Sequence, residues 1–225
     1  MKHRPDREDN FIWLLTALVF LLFFGALFTQ LELSGARLIV NVSLIFTVIT
    51  AVWSLHPAQH KWFIPKLFIT TIIVALMVVD TIIEGDVLAL AQLSTMFLFL
   101  SITLYIAWDE VMFKGQITRN TIFGAICIYI LIGLLFGFAY LIVAHFSPGS
   151  MSGLAGRGWH QDLQPIIYYS MVTLTTTGYG DITPMAPLTR FLAYTEALIG
   201  IFYTTVLVAS LIGMRLTEYR PDKPG

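Results

Sequence analysis

Six apolar stretches separated by short polar breaks organise this chain. They run Phe11–Phe28, Leu38–Leu55, Leu67–Ile83, Val87–Trp108, Ile122–Phe146 and Leu188–Gly213. A helix needs about 20 predominantly apolar residues to cross a bilayer, and each stretch reaches or approaches that length. The pattern predicts an all-α membrane protein with six transmembrane helices. The longest polar break, Ser147–Pro187, holds a further element. Its first part, Ser147–Gly158, is rich in glycine and serine and reads as a flexible external loop. A short helix is predicted over Leu163–Thr175, with Asp162 as its cap and Pro165 near its first turn. Too short to span, it is expected to be a re-entrant pore helix, returning through a loop between the fifth and sixth spans.

Composition agrees with a membrane location. Hydrophobic residues make up 57% of the 225 positions and charged residues 12%, against about 25% charged in soluble domains. The net charge of −1 gives no sign of nucleic-acid binding. The single cysteine, Cys127, lies in an apolar run and reads as a small buried hydrophobe. The first stretch exceeds the apolar core of a cleaved signal peptide, so it is expected to be retained. Basic residues set the orientation. With the N-terminus inside, the inner segments carry Lys2, Arg4, Arg7, Lys61, Lys66, Lys114, Arg119, Arg215, Arg220 and Lys223, and the outer ones only Arg37, Arg157 and Arg190. Both termini are expected to be cytoplasmic, as an even number of spans requires.

The chemistry concentrates in Thr173–Asp181, which reads Thr-Leu-Thr-Thr-Thr-Gly-Tyr-Gly-Asp. Non-helical backbone at membrane depth is tolerated only where it is buried in protein or lines a cavity. Glycine on both sides of Tyr179 lets an extended backbone aim successive carbonyl oxygens one way, where they replace the hydration shell of a bare cation.

A long helix, a short helix, Thr-x-Gly-Tyr-Gly-Asp and a second long helix together resemble the pore of tetrameric potassium channels, of a six-span prokaryotic-like type. The resemblance covers roughly Ile122–Leu216 and matches the first four spans only in number. It implies a domain plan of 1–110 as a four-helix transmembrane domain, 111–121 as a cytoplasmic linker, 122–216 as the pore domain and 217–225 as a short cytoplasmic tail. It implies potassium-selective permeation through a homotetramer, so the partners are three identical subunits and membrane lipid. The expected location is a plasma membrane, of the bacterial inner-membrane kind. Potassium is the permeant ion, and no other cofactor is expected. Ion sites are implied at Thr176, Thr177, Gly178 and Tyr179, with Gly180 completing the filter. Asp181, Tyr168 and Tyr169 match the positions that brace it, and Gly200 stands where the family places a gating hinge. Close helix packing is the other reading of that glycine. Family members usually carry Val or Ile where this chain has Thr177. A less selective monovalent cation channel is therefore the alternative, and a non-conducting channel subunit is a second.

Two further expectations come from charge. Glu196 is an ionisable residue inside the sixth span, where a carboxylate is costly and faces a cavity or a partner. A role in supporting the filter is expected, in place of the glutamate that some channels keep at the position of Val172. Val87–Trp108 holds no Arg or Lys, so a charged voltage sensor is absent from the fourth span. The segment Met214–Gly225 is too short for a folded nucleotide-binding domain, leaving lipid, the filter or an unidentified regulatory subunit as sources of control. No nucleophile–base or metal-ligand spacing supports a membrane enzyme. His56 and His60 read as a solvated loop, while His145 and His160 flank the external loop.

Overall fold

The computed structural model describes residues 10–30, 36–54, 63–80, 85–113, 119–154, 156 and 158–218. Seven helices account for most of them: α1 (Asn10–Gln30), α2 (Ala36–Ser54), α3 (Phe63–Asp80), α4 (Asp86–Phe113), α5 (Arg119–Phe146), α6 (Trp159–Leu174) and α7 (Pro187–Glu218). Two short strands, β1 (Met151–Ser152) and β2 (Thr183–Pro184), flank α6. Segments 1–9, 55–62, 114–118 and 219–225 lie outside the described residues, together with His56, His60 and many of the charges used to orient the chain.

Each expected apolar stretch is helical over its described residues. Two helices, Asp86–Val111 and Asn120–Phe146, are long and apolar enough to cross a membrane among the described residues, and Phe11–Leu27 and Leu67–Leu76 are shorter apolar helices. Serine and threonine hydroxyls within these helices bond back one turn. Thr16 donates to the Ile12 carbonyl, Thr71 to Leu67, Thr95 to Ala91 and Ser101 to Phe97. This satisfies the hydroxyls without a partner helix, as an apolar solvent demands. Outward faces carry Trp13, Phe23, Phe68, Val87 and Phe202, all exposed. A chain surrounded by water would hide so many large apolar groups; this is a membrane protein.

α5 is the central element, lying against α1, α4, α6 and α7. Its buried side includes Ile128, Leu131, Leu134, Phe138 and Leu141. The start of α1 is tied to the start of α5. The Phe11 amide donates to the Asn120 Oδ1 at 3.1 Å, and the Cys127 thiol lies 3.5 Å from the Phe11 carbonyl. That cap satisfies one of the orphan amides at a helix N-terminus with a side chain remote in sequence. α1 and α2 also reach α6, so two of the helices ahead of α5 pack directly against α6. The α4 helix runs on past Trp108 to Phe113 and carries Asp109 and Glu110.

Two local expectations are corrected. α6 begins at Trp159, so Asp162 sits in its first turn and Gly158 is the capping residue, without a side-chain cap. An acidic group there still opposes the positive end of the helix dipole. The segment after α5 is only partly a loop: β1 pairs antiparallel with β2, placing Met151 opposite Pro184 and Ser152 opposite Thr183.

Candidate functional site

The segment after α6 is held to the helix it leaves. Thr175, Thr176 and Thr177 donate their amides to the carbonyls of Met171, Thr173 and Val172 at 3.1, 2.9 and 2.9 Å. The Thr175 hydroxyl donates to the Met171 carbonyl at 2.8 Å and lies 3.0 Å from the Thr177 hydroxyl. These bonds satisfy carbonyls that a helix C-terminus otherwise leaves open.

Beyond Thr175 the backbone alternates in hand. Thr176, Gly178 and Gly180 have φ of 58°, 59° and 81°, whereas Thr177 and Tyr179 stay on the negative side. In an ordinary strand successive carbonyls point to opposite sides. Alternating left- and right-handed residues instead gathers the amides on one side and the carbonyls on the other. Thr176 is the only described non-glycine residue with positive φ, and a β-branched residue there is strained by about 1–2 kcal/mol. Added Cβ atoms at Gly178 and Gly180 would meet open space, so glycine serves the backbone angle there rather than a tight fit. A row of carbonyl dipoles on one side suits a cation.

The residues expected to brace this segment divide. The rings of Tyr168 and Tyr179 are parallel, 3° apart in tilt, with centroids separated by 6.5 Å. The Asp181 carboxylate interacts with the Tyr168 hydroxyl. Tyr169 turns the other way, buried edge-on against Tyr140 of α5 at 5.1 Å. One α6 tyrosine therefore meets the filter-like segment and the next anchors α6 to α5.

Glu196 is fully buried. Tyr140 donates to its Oε2 at 2.8 Å, and the Ser170 hydroxyl lies 2.5 Å from its Oε1. Ser170 is also 2.6 Å from the Gly133 carbonyl oxygen. Glu196 thus faces a partner, as expected of a buried carboxyl, and the partner is the back of α6 rather than the glycine-bearing segment. Gly200 has a packing reason of its own, because an added Cβ would overlap the Leu174 carbonyl oxygen. The Tyr129 hydroxyl donates to that same oxygen at 3.2 Å.

Sequence reasoning missed the bonds that hold the segment after Gly180. The Ser150 carbonyl accepts from the Met185 and Ala186 amides at 2.8 and 3.2 Å and from the Thr189 hydroxyl at 2.9 Å. It also missed Ser170 and Tyr140. Nothing in either residue's neighbourhood marks it, and only the unpaired look of Glu196 hinted that partners exist.

Residues 128–216 match the family model described as "Ion channel". A stretch of 65 residues is 32% identical to a "Two pore potassium channel c" of Oryza sativa, covering 29% of this chain and 14% of that protein. A stretch of 93 residues is 29% identical to a "Voltage-gated potassium channel" of Aeropyrum pernix, covering 41% of this chain and 28% of that one. The resemblance to a potassium-channel pore family is borne out. The chain spans less than a third of either relative, and no solved structure gives a significant match. Within the ion-channel segment lie α6, the alternating backbone, Glu196 and Gly200; α1–α4 and the Asn120 cap lie outside it.

Proposed function

We propose that this chain is one subunit of a homotetrameric potassium channel, passing K+ passively through a filter made of Thr176, Thr177, Gly178, Tyr179 and Gly180. The observation that carries this reading is the alternation of backbone hand at Thr176, Gly178 and Gly180, which supplies oxygens in place of water. One such strand cannot encircle an ion, so four copies about a shared axis are required. Exposed Phe191, Tyr194, Leu198, Ile201 and Phe202 on α7 supply apolar surface for neighbouring subunits and lipid.

In this reading α1–α5 and α7 are the six spans, α6 is re-entrant and both termini are cytoplasmic. Residues 1–110 form a supporting four-helix unit, 111–121 the linker, 122–216 the pore and 217–225 the tail. Tyr168 and Asp181 brace the filter from α6, Tyr169 fixes α6 to α5, and Glu196 supports α6 from behind. Gly200 is a point of close approach at which α7 can also bend. Thr177, the departure from Val or Ile, has its hydroxyl beside that of Thr175. It therefore fills the usual volume without orphaning a polar group, which favours potassium selectivity over the less selective alternative. α4 carries no Lys or Arg in its apolar run, so permeation depends weakly on voltage.

The test is flux from liposomes containing the purified protein, under potassium and sodium gradients in turn. Potassium flux far above sodium flux, lost in Gly178→Asp or Tyr179→Ala, is the expected result. Equal flux of both ions would favour a non-selective pore, and no flux with an intact tetramer would favour a non-conducting subunit.

A further inference from the structure

Glu196 is buried among hydroxyls, with no basic partner among the described residues. The titratable groups that face it are Tyr129 and Tyr140 from α5 and Tyr169 from α6. Its own helix adds none that acts on it. Counting hydrogens around Ser170 then fixes the state of the carboxyl. The Ser170 Oγ lies 2.6 Å from the Gly133 carbonyl oxygen and 2.5 Å from Glu196 Oε1. A hydroxyl has one hydrogen to give, and a carbonyl oxygen only accepts. One hydrogen shared between two acceptors makes longer contacts than these, so both are short hydrogen bonds only if Glu196 brings the second hydrogen. The order is then Glu196 Oε1–H to Ser170 Oγ, and Ser170 O–H to the Gly133 carbonyl, while Tyr140 donates to Oε2. With an ionised carboxylate, one of the two short contacts would hold facing lone pairs and no hydrogen.

We propose that Glu196 is a positioning residue that works in its protonated form, its hydrogen completing a relay that fastens α7 to α6 through Ser170 and α6 to α5 through Gly133. Loss of that hydrogen in alkaline solution turns the Ser170 hydroxyl toward the carboxylate. The bond to Gly133 breaks, and α6, which carries the filter, is released from α5. The proton leaves to bulk base and nothing else is exchanged. The switch in conduction rests on the potassium-channel reading above; the protonation state does not.

Two measurements separate these claims. Infrared difference spectra of the assembled protein, wild type minus Glu196→Gln, should contain the carbonyl stretch of a protonated carboxylic acid at neutral pH. Labelling glutamate with 13C should move that band, and Ser170→Ala should shift it by removing its hydrogen-bond acceptor. No acid band, or a band indifferent to Ser170→Ala, overturns the assignment whether or not the protein conducts. In liposomes, wild-type potassium flux should be lost as pH is raised. Glu196→Gln keeps a donor for Ser170 and an acceptor for Tyr140, so its flux should persist and stay flat with pH, whereas Glu196→Ala should lose flux at every pH. An alkaline loss retained in Glu196→Gln, or abolished by Tyr140→Phe, would assign the switch to another group and overturn the proposal. An acid band in a protein without flux would leave the relay standing and sink the conduction reading instead.

Discussion

Gly200 of α7 lies directly against the carbonyl oxygen of Leu174, the last residue of α6. Alanine is favoured over glycine by about 1 kcal/mol inside a helix, so a glycine serving only as a hinge would be stabilised by Gly200→Ala. Overpacking costs about 1–3 kcal/mol, and the obstruction here is backbone, which yields poorly. Gly200→Ala is therefore expected to lower the melting temperature in detergent and to weaken assembly. A higher melting temperature would point to a hinge without a packing role.

Gly178 presents the reverse case. A Cβ there meets nothing within 4 Å, but φ is 59°. Gly178→Ala should keep the fold and lower the melting temperature only modestly, through a backbone cost of about 1–2 kcal/mol. Potassium flux should nevertheless fall sharply, because relaxing that angle swings one carbonyl out of the row. Retained flux would show that the alternation is dispensable.

Tyr168→Phe removes the hydroxyl that meets Asp181 while keeping the ring parallel to Tyr179. Current from Tyr168→Phe should decline faster during sustained activity than wild-type current, with single-channel amplitude unchanged. Identical time courses in planar bilayers would remove the brace from the account.

Tyr203 reaches from α7 to the Ala125 carbonyl of α5 at 2.7 Å and is buried beside Tyr129, with ring centroids 5.7 Å apart. Tyr203→Phe keeps the ring and should lower stability by about 1 kcal/mol, read as a lower denaturation midpoint. Tyr203→Ala should cost several times more, through the lost ring. Equal effects would mean that the hydroxyl alone carries the contact.

Voltage offers a separate check. Each charge moved across the field contributes about 2.3 kcal/mol per 100 mV, and α4 has no basic residue from Val87 to Trp108. The conductance–voltage relation should be shallow, and adding Arg at Leu98 should not steepen it, because one charge is too few. A steep relation in the wild type would require another sensor.

How far the sequence could be read follows from how local each signal is. Runs such as Ile122–Phe146 declare a helix by composition, and Gly178-Tyr179-Gly180 declares unusual backbone because only glycine takes those angles readily. Glu196 was visible as an anomaly for the same reason, being one carboxyl in an apolar run. Its partners were not. Ser170 and Tyr140 are ordinary residues whose meaning arises when three helices pack, as do Asn120 beneath Phe11 and the overlap at Gly200. The strands Met151–Ser152 and Thr183–Pro184 are too short for any periodicity to register. The start of α6 was misplaced because Asp162 is an equally good residue for a helix cap and for a first turn.

Three donors from beyond the glycine-bearing segment meet on the Ser150 carbonyl, which belongs to the segment just after α5. Anything that grasps the turn holding Ser150 therefore also holds the segment after Gly180 and the start of α7. A single peptide oxygen thereby makes three segments one mechanical piece, and in the proposed channel a bulky blocker could act on that piece without entering the ion path.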